Sequence, residues 1–351
     1  MTWNKYEPTA ARSQARPGSA CRPATLTLDI HSHVAIPAAG RIAGPHMKPE
    51  MQALGWFADG ATQAVNAKQD IDIPARLAGE SVRLEDLDRM GLDKQLVMPP
   101  PGQCWYAIPQ KIAVEATRVL NDGLGEFAAS RPDKYVALGS VPLADGEDAA
   151  FELERIMKLG LKGVQILTNV AGRELSDPAF EPFWSAAERT GALVVIHPNG
   201  FTHGERLRRF YFSNVIGNPL ETTIALSYLI FDGVLERHPN LQILAVHGGG
   251  YLGAYPGRID HAWGARSDCN AGLPKPPTEY LRRIYVDTIV FTPQQLRALV
   301  ETFGADHVLL GTDYPFDMAD YDPVGHVVDA GLDQASIEAI CGGNARGLLG
   351  I

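Results

Sequence analysis

The sequence predicts an α/β fold, a (β/α)8 TIM barrel with an insertion after strand 1, and three observations carry the prediction. Eight short apolar segments alternate with stretches of helical spacing between residues 25 and 351, which implies parallel strands joined by right-handed crossovers. Four of those segments close on a histidine or an aspartate. A barrel gathers its chemistry at the carboxyl ends of its strands, so that recurrence fits. The turn after the first strand is Ser32-His33-Val34 rather than a glycine-rich phosphate loop, and a doubly wound dinucleotide-binding sheet loses ground accordingly.

Composition narrows the class further. The chain has 351 residues and a formal net charge of -10, so nucleic acid and anionic membrane, which reward basic surfaces, are not expected partners. Cys21, Cys104, Cys269 and Cys341 lie far apart with no C-x-x-C pair. Neither a zinc ribbon nor a disulfide framework is indicated, and a reducing cytoplasm is the expected location. Residues 1–24, rich in Pro, Ala, Ser and Arg, read as a flexible N-terminal arm without the apolar run of a secretory signal. No stretch has the length of a transmembrane helix.

In chain order, the first strand spans Leu26 to Ile30, where apolar residues alternate with Thr27, Asp29 and His31. A period of two places Asp29, His31 and His33 on one face, close enough for two imidazoles to share a metal ion. A surface strand with solvated histidines is the competing reading of H-x-H alone. Residues 34–81 are punctuated by Pro37, Gly40, Gly44, Pro45, Pro49, Gly55, Gly60 and Pro74, and read as an insertion or lid over the end of that strand. A helix ending at Gly91 leads to strand Lys94 to Met98, stopped by Pro99-Pro100-Pro101. Helices near 109–130, 148–159, 179–190, 219–236, 251–266 and 293–303 then alternate with strands. Those strands are Tyr135 to Gly139, Gly163 to Leu167, Ala192 to His197, Leu241 to His247, Arg283 to Thr288 and His307 to Gly311.

Reading the strand ends together gives Asp29, His31 and His33 from the first, His197 from the fifth, His247 from the sixth and Asp313 after the eighth. Any one of them could be a buried, hydrogen-bonded residue. Their joint recurrence is harder to ascribe to packing, because a barrel brings those ends around one axis. Two ligands from the first strand, one imidazole and one carboxylate would give a divalent ion four donors with room for water or substrate.

The ordered set H-x-H, His197-Pro198, His247-Gly248-Gly249-Gly250 and Gly311-Thr312-Asp313-Tyr314-Pro315-Phe316 resembles the amidohydrolase superfamily. More narrowly it resembles the branch containing aminocarboxymuconate-semialdehyde decarboxylase and the non-oxidative benzoate-type decarboxylases. The likeness runs from Leu26 to Leu349 and includes Val141-Pro142-Leu143, Glu221-Thr222-Thr223-Ile224-Ala225 and Gly257-Arg258-Ile259-Asp260-His261-Ala262-Trp263. The resemblance implies His31, His33, His197 and Asp313 as ligands of a divalent metal, Zn2+ before Mn2+, and His247 as the acid/base group. It implies that Arg258 grips a small anionic carboxylate substrate, in some relatives from the neighbouring subunit, and hence a homodimer. Two departures stand out. Asn199 replaces a tryptophan that follows the fifth-strand His-Pro in the aminocarboxymuconate enzyme, and that enzyme's second carboxylate-binding arginine has Arg76 as its nearest counterpart. A substrate other than aminocarboxymuconate semialdehyde follows.

The expected activity is metal-dependent non-oxidative decarboxylation of an unsaturated or aromatic carboxylic acid. Hydrolysis or hydration of a ring-cleavage product by the same metal-water constellation is the alternative. Either His247 handles the proton or Asp313 protonates the ring carbon, and the residues leave both routes open. Asp29 is expected to orient a ligand from behind. Arg206, Arg208 and Arg209 could attract an anion but match a solvated face as well. Trp105, Tyr106, Phe201 and Phe316 could wall an aromatic substrate, and Cys104 has no base beside it in sequence.

Overall fold

Strand β1 (Leu28–His33) is buried along its whole length, and the barrel closes around it. In the computed structural model, which describes residues 21–351, β1 pairs in parallel with β2 (Lys94–Met98), and β2 with β3 (Tyr135–Ala137). A second run of parallel pairings joins β4 (Gly163–Leu167), β5 (Leu193–His197), β6 (Gln242–Ala245), β7 (Ile284–Asp287) and β8 (Val308–Leu309). Two short bridges complete the ring. The Gly139 N–H donates to the Gly163 carbonyl on one side, and on the other the Ile30 and His33 N–H groups donate to the carbonyls of Leu310 and Tyr314. The strands therefore close in sequence order, as the alternation of strand and helix predicted. Most of the expected arm, residues 1–24, lies outside the described residues.

Side chains divide between two layers. Leu28, Ile30, Leu96, Met98, Leu193, Val195, Leu244 and Leu309 fill the barrel interior, with Ala345 and Leu349 of the last helix packed into the same cluster. Val97, Val164, Ile166, Val194, Ile243 and Val286 face outward into a larger cluster shared with the helices. That partition corrects the expected face of β1. Asp29 pairs with Gln95 but Ser32 with Val97, so β1 takes three steps where β2 takes two. Such a bulge switches the side-chain alternation. Asp29 consequently shares the outward face with Gln95, while His31 and His33 beyond the bulge turn inward.

Residues 34–81 are helical, with helices Pro37–Ala43, Ala53–Trp56 and Gly60–Ala78 separated by 3-10 turns Gly44–His46 and Pro49–Met51. Much of the punctuation that suggested irregular chain sits at the starts of these elements, whereas Gly40, Gly55 and Pro74 lie inside helices. Pro37, Pro45 and Pro49 occupy first-turn positions, where the missing N–H costs nothing. Asp59 caps the long helix by accepting from the Thr62 N–H at 2.9 Å. Asp145 and Thr292 do the same for Gly146–Lys158 and Pro293–Phe303.

Arg83, on helix Glu80–Met90, ties this segment to the barrel from a fully buried position. Its guanidinium donates to Gln95 Oε1 at 2.9 Å, to the Arg76 carbonyl at 3.0 Å and to the His33 carbonyl, and it lies 4.8 Å from the Tyr314 ring centroid. Arg83→Leu would strand two carbonyls and an amide oxygen away from water, each at a cost of about 1–3 kcal/mol. The expected result is a melting temperature lower by about 5 °C or more in a calorimetric scan. An unchanged transition would mean that the apolar replacement satisfies this corner equally well.

Candidate metal centre

One ligand atom from each of His31, His33, His197 and Asp313 falls within a common span of 4.8 Å, and all four residues are buried. They arrive from three places on the ring: the end of β1, the end of β5 and the loop after β8. Asp313 Oδ1 lies 3.1 Å from His33 Nε2, 3.4 Å from His31 Nε2 and 3.9 Å from His197 Nε2.

The outer nitrogens of these rings fix which inner nitrogens carry lone pairs. His31 Nδ1 meets Asp287 Oδ2 at 2.8 Å, His33 Nδ1 the Pro99 carbonyl at 2.9 Å and His197 Nδ1 the Pro198 carbonyl at 2.6 Å. A carbonyl or carboxylate accepts only, so each Nδ1 is the donor and each ring, when neutral, presents a lone pair at Nε2. His31 Nε2 and His33 Nε2 nevertheless stand 3.1 Å apart, and His197 Nε2 is buried without a hydrogen-bond partner. Three converging lone pairs beside a carboxylate are mutually repulsive unless a cation joins them. The donor set therefore fits a divalent metal of the imidazole-binding kind.

Charge regulation agrees. Burial pushes His197 down to about 3, and burial also holds His33 below its ordinary value. Burial opposes a proton on His31 too, but the Asp287 hydrogen bond and the Asp313 charge outweigh it and raise its pKa. Against the effect of burial, the imidazoles around Asp313 hold its carboxyl well below the usual carboxylate range.

His247 sits across the cluster, its Nε2 3.4 Å from Asp313 Oδ2 and its ring centroid 5.0 Å from that of His197. Its Nδ1 is buried without a partner. The expected strand through His247 stops at Ala245, because the chain turns sharply there: His247 and Gly248 have φ of 54° and 64°. A Cβ on Gly248 would meet Val290 Cγ1 at 2.4 Å, and one on Gly250 would meet the Pro219 carbonyl oxygen at 2.4 Å. Those contacts explain the glycine run. Asp313 also has a positive φ, 61°. Two non-glycine residues held left-handed at one site mark backbone bent to aim side chains.

Asp287, at the end of β7, joins both halves of the site and was not singled out by the strand-end reading. Its Oδ2 meets His31, while its Oδ1 accepts from the Gly248 N–H at 2.9 Å and the Ile289 N–H at 3.2 Å. The available signal was its position at the end of an apolar strand, like that of the six residues that were read at the ends of four strands. Asp29 acts through backbone instead. It accepts from the His31 N–H at 2.9 Å, the Thr312 N–H at 3.0 Å and Thr312 Oγ1 at 2.7 Å, which anchors the residue before Asp313.

Among the flanking candidates, Trp105 and Tyr106 line a cavity at the same end of the barrel, and Phe316 packs with its ring 4.9 Å from His33. Cys104 is buried, hydrogen-bonded to Ser140 at 3.4 Å, and burial pushes its thiol up, which disqualifies it as a nucleophile. Arg76 is not brought to the site. Its Nε donates to Asp86 Oδ2 at 3.3 Å, and that carboxylate is also engaged by Arg89 and Tyr314. Arg258 is exposed on helix Gly257–Ala265, and Arg206, Arg208 and Arg209 are exposed as well, so that run forms a solvated face. No described helix is long and apolar enough to cross a membrane.

Comparison with known proteins now bears on this geometry. The amidohydrolase family model matches residues 109–351. The chain is 33% identical over 337 residues to 2-amino-3-carboxymuconate-6-semialdehyde decarboxylase of Dictyostelium discoideum, covering 93% of this chain and 92% of that protein. It is 29% identical over 266 residues to gamma-resorcylate decarboxylase of Rhizobium radiobacter, covering 69% of this chain and 78% of the relative. Among solved structures, 5-carboxyvanillate decarboxylase from Novosphingobium aromaticivorans, crystallised with manganese, superposes with a TM-score of 0.83 at 22% identity. The match covers 96% of this chain and 100% of that one. With the barrel, the ordered motifs and these matches together, the chain belongs to the amidohydrolase superfamily, in its aminocarboxymuconate-semialdehyde decarboxylase-like branch.

Proposed function

We propose that this protein is a metal-dependent, non-oxidative decarboxylase of an unsaturated or aromatic carboxylic acid. The observation that carries the reading is His247 Nε2 poised 3.4 Å from Asp313 Oδ2, on a cluster of three further imidazoles whose lone pairs converge. Relatives from the same branch named as decarboxylases support it. His31, His33, His197 and Asp313 hold the metal, Zn2+ in the first instance. Mn2+ is the second candidate, because it is bound in the similar carboxyvanillate and dihydroxybenzoate decarboxylase structures. A bound divalent cation supplies polarisation of a substrate carboxylate or phenolate oxygen and acidification of water.

The remaining chemistry falls to the chain. Loss of carbon dioxide from R–COO⁻ requires one proton at the carbon that carried it, and His247 delivers that proton from its ring. Asp313 Oδ2 holds the imidazole in place, and Asp287 and the glycine turn fix its approach. Phe316, Trp105 and Tyr106 exclude water around an unsaturated substrate. Arg258, solvent-facing within one chain, grips the substrate carboxylate of a neighbouring subunit in a cytoplasmic homodimer, and helices 34–81 lie over the mouth as a lid. Arg76 is left out because Asp86 holds it. Stoichiometric carbon dioxide release without water uptake, from protein assayed with its metal content measured, supports the lyase. A second organic fragment would favour the hydrolase instead. Mixing Arg258→Ala with His247→Asn chains tests the subunit assignment, since a shared site regains activity only in the mixed dimer.

Proton and cation compete for His31. Its pKa is raised from 6.5, so the free site holds a proton there throughout the range below that raised value, and metal must displace it. His33 and His197 lie below their ordinary values and add no competitor near neutrality. Metal affinity should therefore fall as pH falls through the raised value, by about tenfold per pH unit for one displaced proton. Chelator competition between about pH 5.5 and pH 8.5 measures it. A flat profile would mean that His31 is not a ligand.

A further inference from the structure

A cavity of about 420 Å³ opens at the same end of the barrel as the metal centre. Its lining includes Leu167, the register partner of His197 on the neighbouring strand, and Asn199, two residues beyond that histidine. Trp56, Phe57, Trp105 and Tyr106 give it aromatic surface sized for one ring. Its charge is what discriminates among substrates. Among the described lining residues there is no lysine, arginine or histidine, and the single charged side chain is the carboxylate of Glu50.

The polar groups reinforce this. Asn199 Nδ2 donates to Gln52 Oε1 at 2.8 Å, and the Asn199 carbonyl accepts from the Leu54 N–H at 3.1 Å, which pins the loop after β5 to the 34–81 segment. One half of each carboxamide is thereby used. The pair still offers one N–H donor group and one carbonyl acceptor, and it does so whichever way the two amides are turned. On the adjacent wall, Asn169 and Thr202 are already engaged by Glu221, a nearly buried carboxylate that takes the Thr202 N–H at 2.6 Å and the Asn169 amide at 3.1 Å. A second substrate carboxylate placed here would be desolvated beside like charge, with no counter-ion among the described lining residues of its own chain. A neutral hydroxyl or amino substituent would be matched at once.

Resting on the decarboxylase reading above, we propose that this chain selects monocarboxylates. The substrate's one carboxylate faces the metal centre, and its distal edge carries a neutral hydrogen-bonding substituent that meets the Gln52–Asn199 pair. Gln52 and Asn199 are then specificity-determining residues, and dicarboxylates are excluded.

The test compares 2,4- and 2,5-dihydroxybenzoate, each with a neutral hydroxyl remote from its one carboxylate, with 5-carboxyvanillate, which bears a second carboxylate there, on protein loaded with Mn2+. In parallel it compares binding of neutral resorcinol with binding of vanillate, by quenching of tryptophan fluorescence. The expected result is kcat/KM higher by about tenfold or more for a monocarboxylate, and tighter binding of resorcinol than of vanillate. Gln52→Arg, checked for unchanged metal content, should raise kcat/KM for 5-carboxyvanillate relative to the monocarboxylates by about tenfold or more. Equal or better use of the dicarboxylate, or tighter binding of vanillate by the unaltered protein, overturns the proposal. Should no acid be turned over, the decarboxylase reading fails, and the two phenols still decide the charge preference of the cavity.

Discussion

His247→Asn is expected to lower kcat/KM by about 10²–10⁴-fold, the range over which a positioned proton donor usually contributes. Metal bound per chain should stay unchanged. The two readouts separate the roles, since His247 stands outside the four-donor group, its Nε2 3.4 Å from Asp313 Oδ2 and its ring centroid 5.0 Å from that of His197. Asparagine is the informative replacement because residue 247 has φ of 54°. Among non-glycine residues asparagine tolerates that region best, so the turn through Gly248 survives and lost activity cannot be charged to a broken loop. Its amide is shorter, matching the ring's Nδ1 rather than its Nε2, and neither gains nor gives up a proton near neutrality. Activity within threefold of the parent protein, with metal intact, would transfer the proton to the Asp313 carboxyl instead.

The four clustered donors were legible in the sequence for a geometric reason. Eight apolar strands separated by helices leave a barrel as the economical arrangement, and a barrel converts the end of each strand into a position on one ring. Residue type then does the rest, because imidazoles at the ends of buried strands need partners. Strands β2 and β4 and helix Pro293–Phe303 also coincide with their expected bounds. Each is flanked by turn or capping residues whose effect is local: Pro99 after β2, Gly163 at the start of β4, Thr292 before the helix.

What was not legible depends on contacts between distant parts of the chain. The bulge in β1 leaves no mark in the alternation of Leu28, Asp29, Ile30 and His31, because it exists only relative to the register of β2. Asp29 therefore read as a neighbour of the histidines although it faces Gln95 and Thr312. The end of β6 was misplaced by two residues because Val246 and His247 continue an apolar strand pattern, whereas the turn is set by the crowding of Gly248 and Gly250 against Val290 and Pro219. Arg76 looked available in the sequence. Only the fold reveals that Asp86, ten residues away, already holds it.

Asp287 is the residue whose removal should be most instructive, and two substitutions separate its two hydrogen-bonding jobs. Its Oδ2 takes the His31 Nδ1 proton, which leaves the lone pair on Nε2, and its Oδ1 takes the N–H of Gly248 beside His247. In Asp287→Asn the amide oxygen stays where two N–H groups converge, from Gly248 and Ile289, so the NH2 group faces His31. A donor there requires His31 Nδ1 to accept, and the ring proton moves to Nε2, where it blocks the metal. Metal affinity should fall by about 10–100-fold, while kcat should recover at saturating metal, since the His247 turn is still anchored. Asp287→Ala loses both anchors. It should show the same loss of affinity together with a kcat deficit that excess metal cannot repair. Metal titration followed by kcat at saturation reads both quantities. Tight metal binding by Asp287→Asn would mean that His31 does not reach the ion through Nε2, and the four-donor arrangement would have to be redrawn around His33, His197 and Asp313.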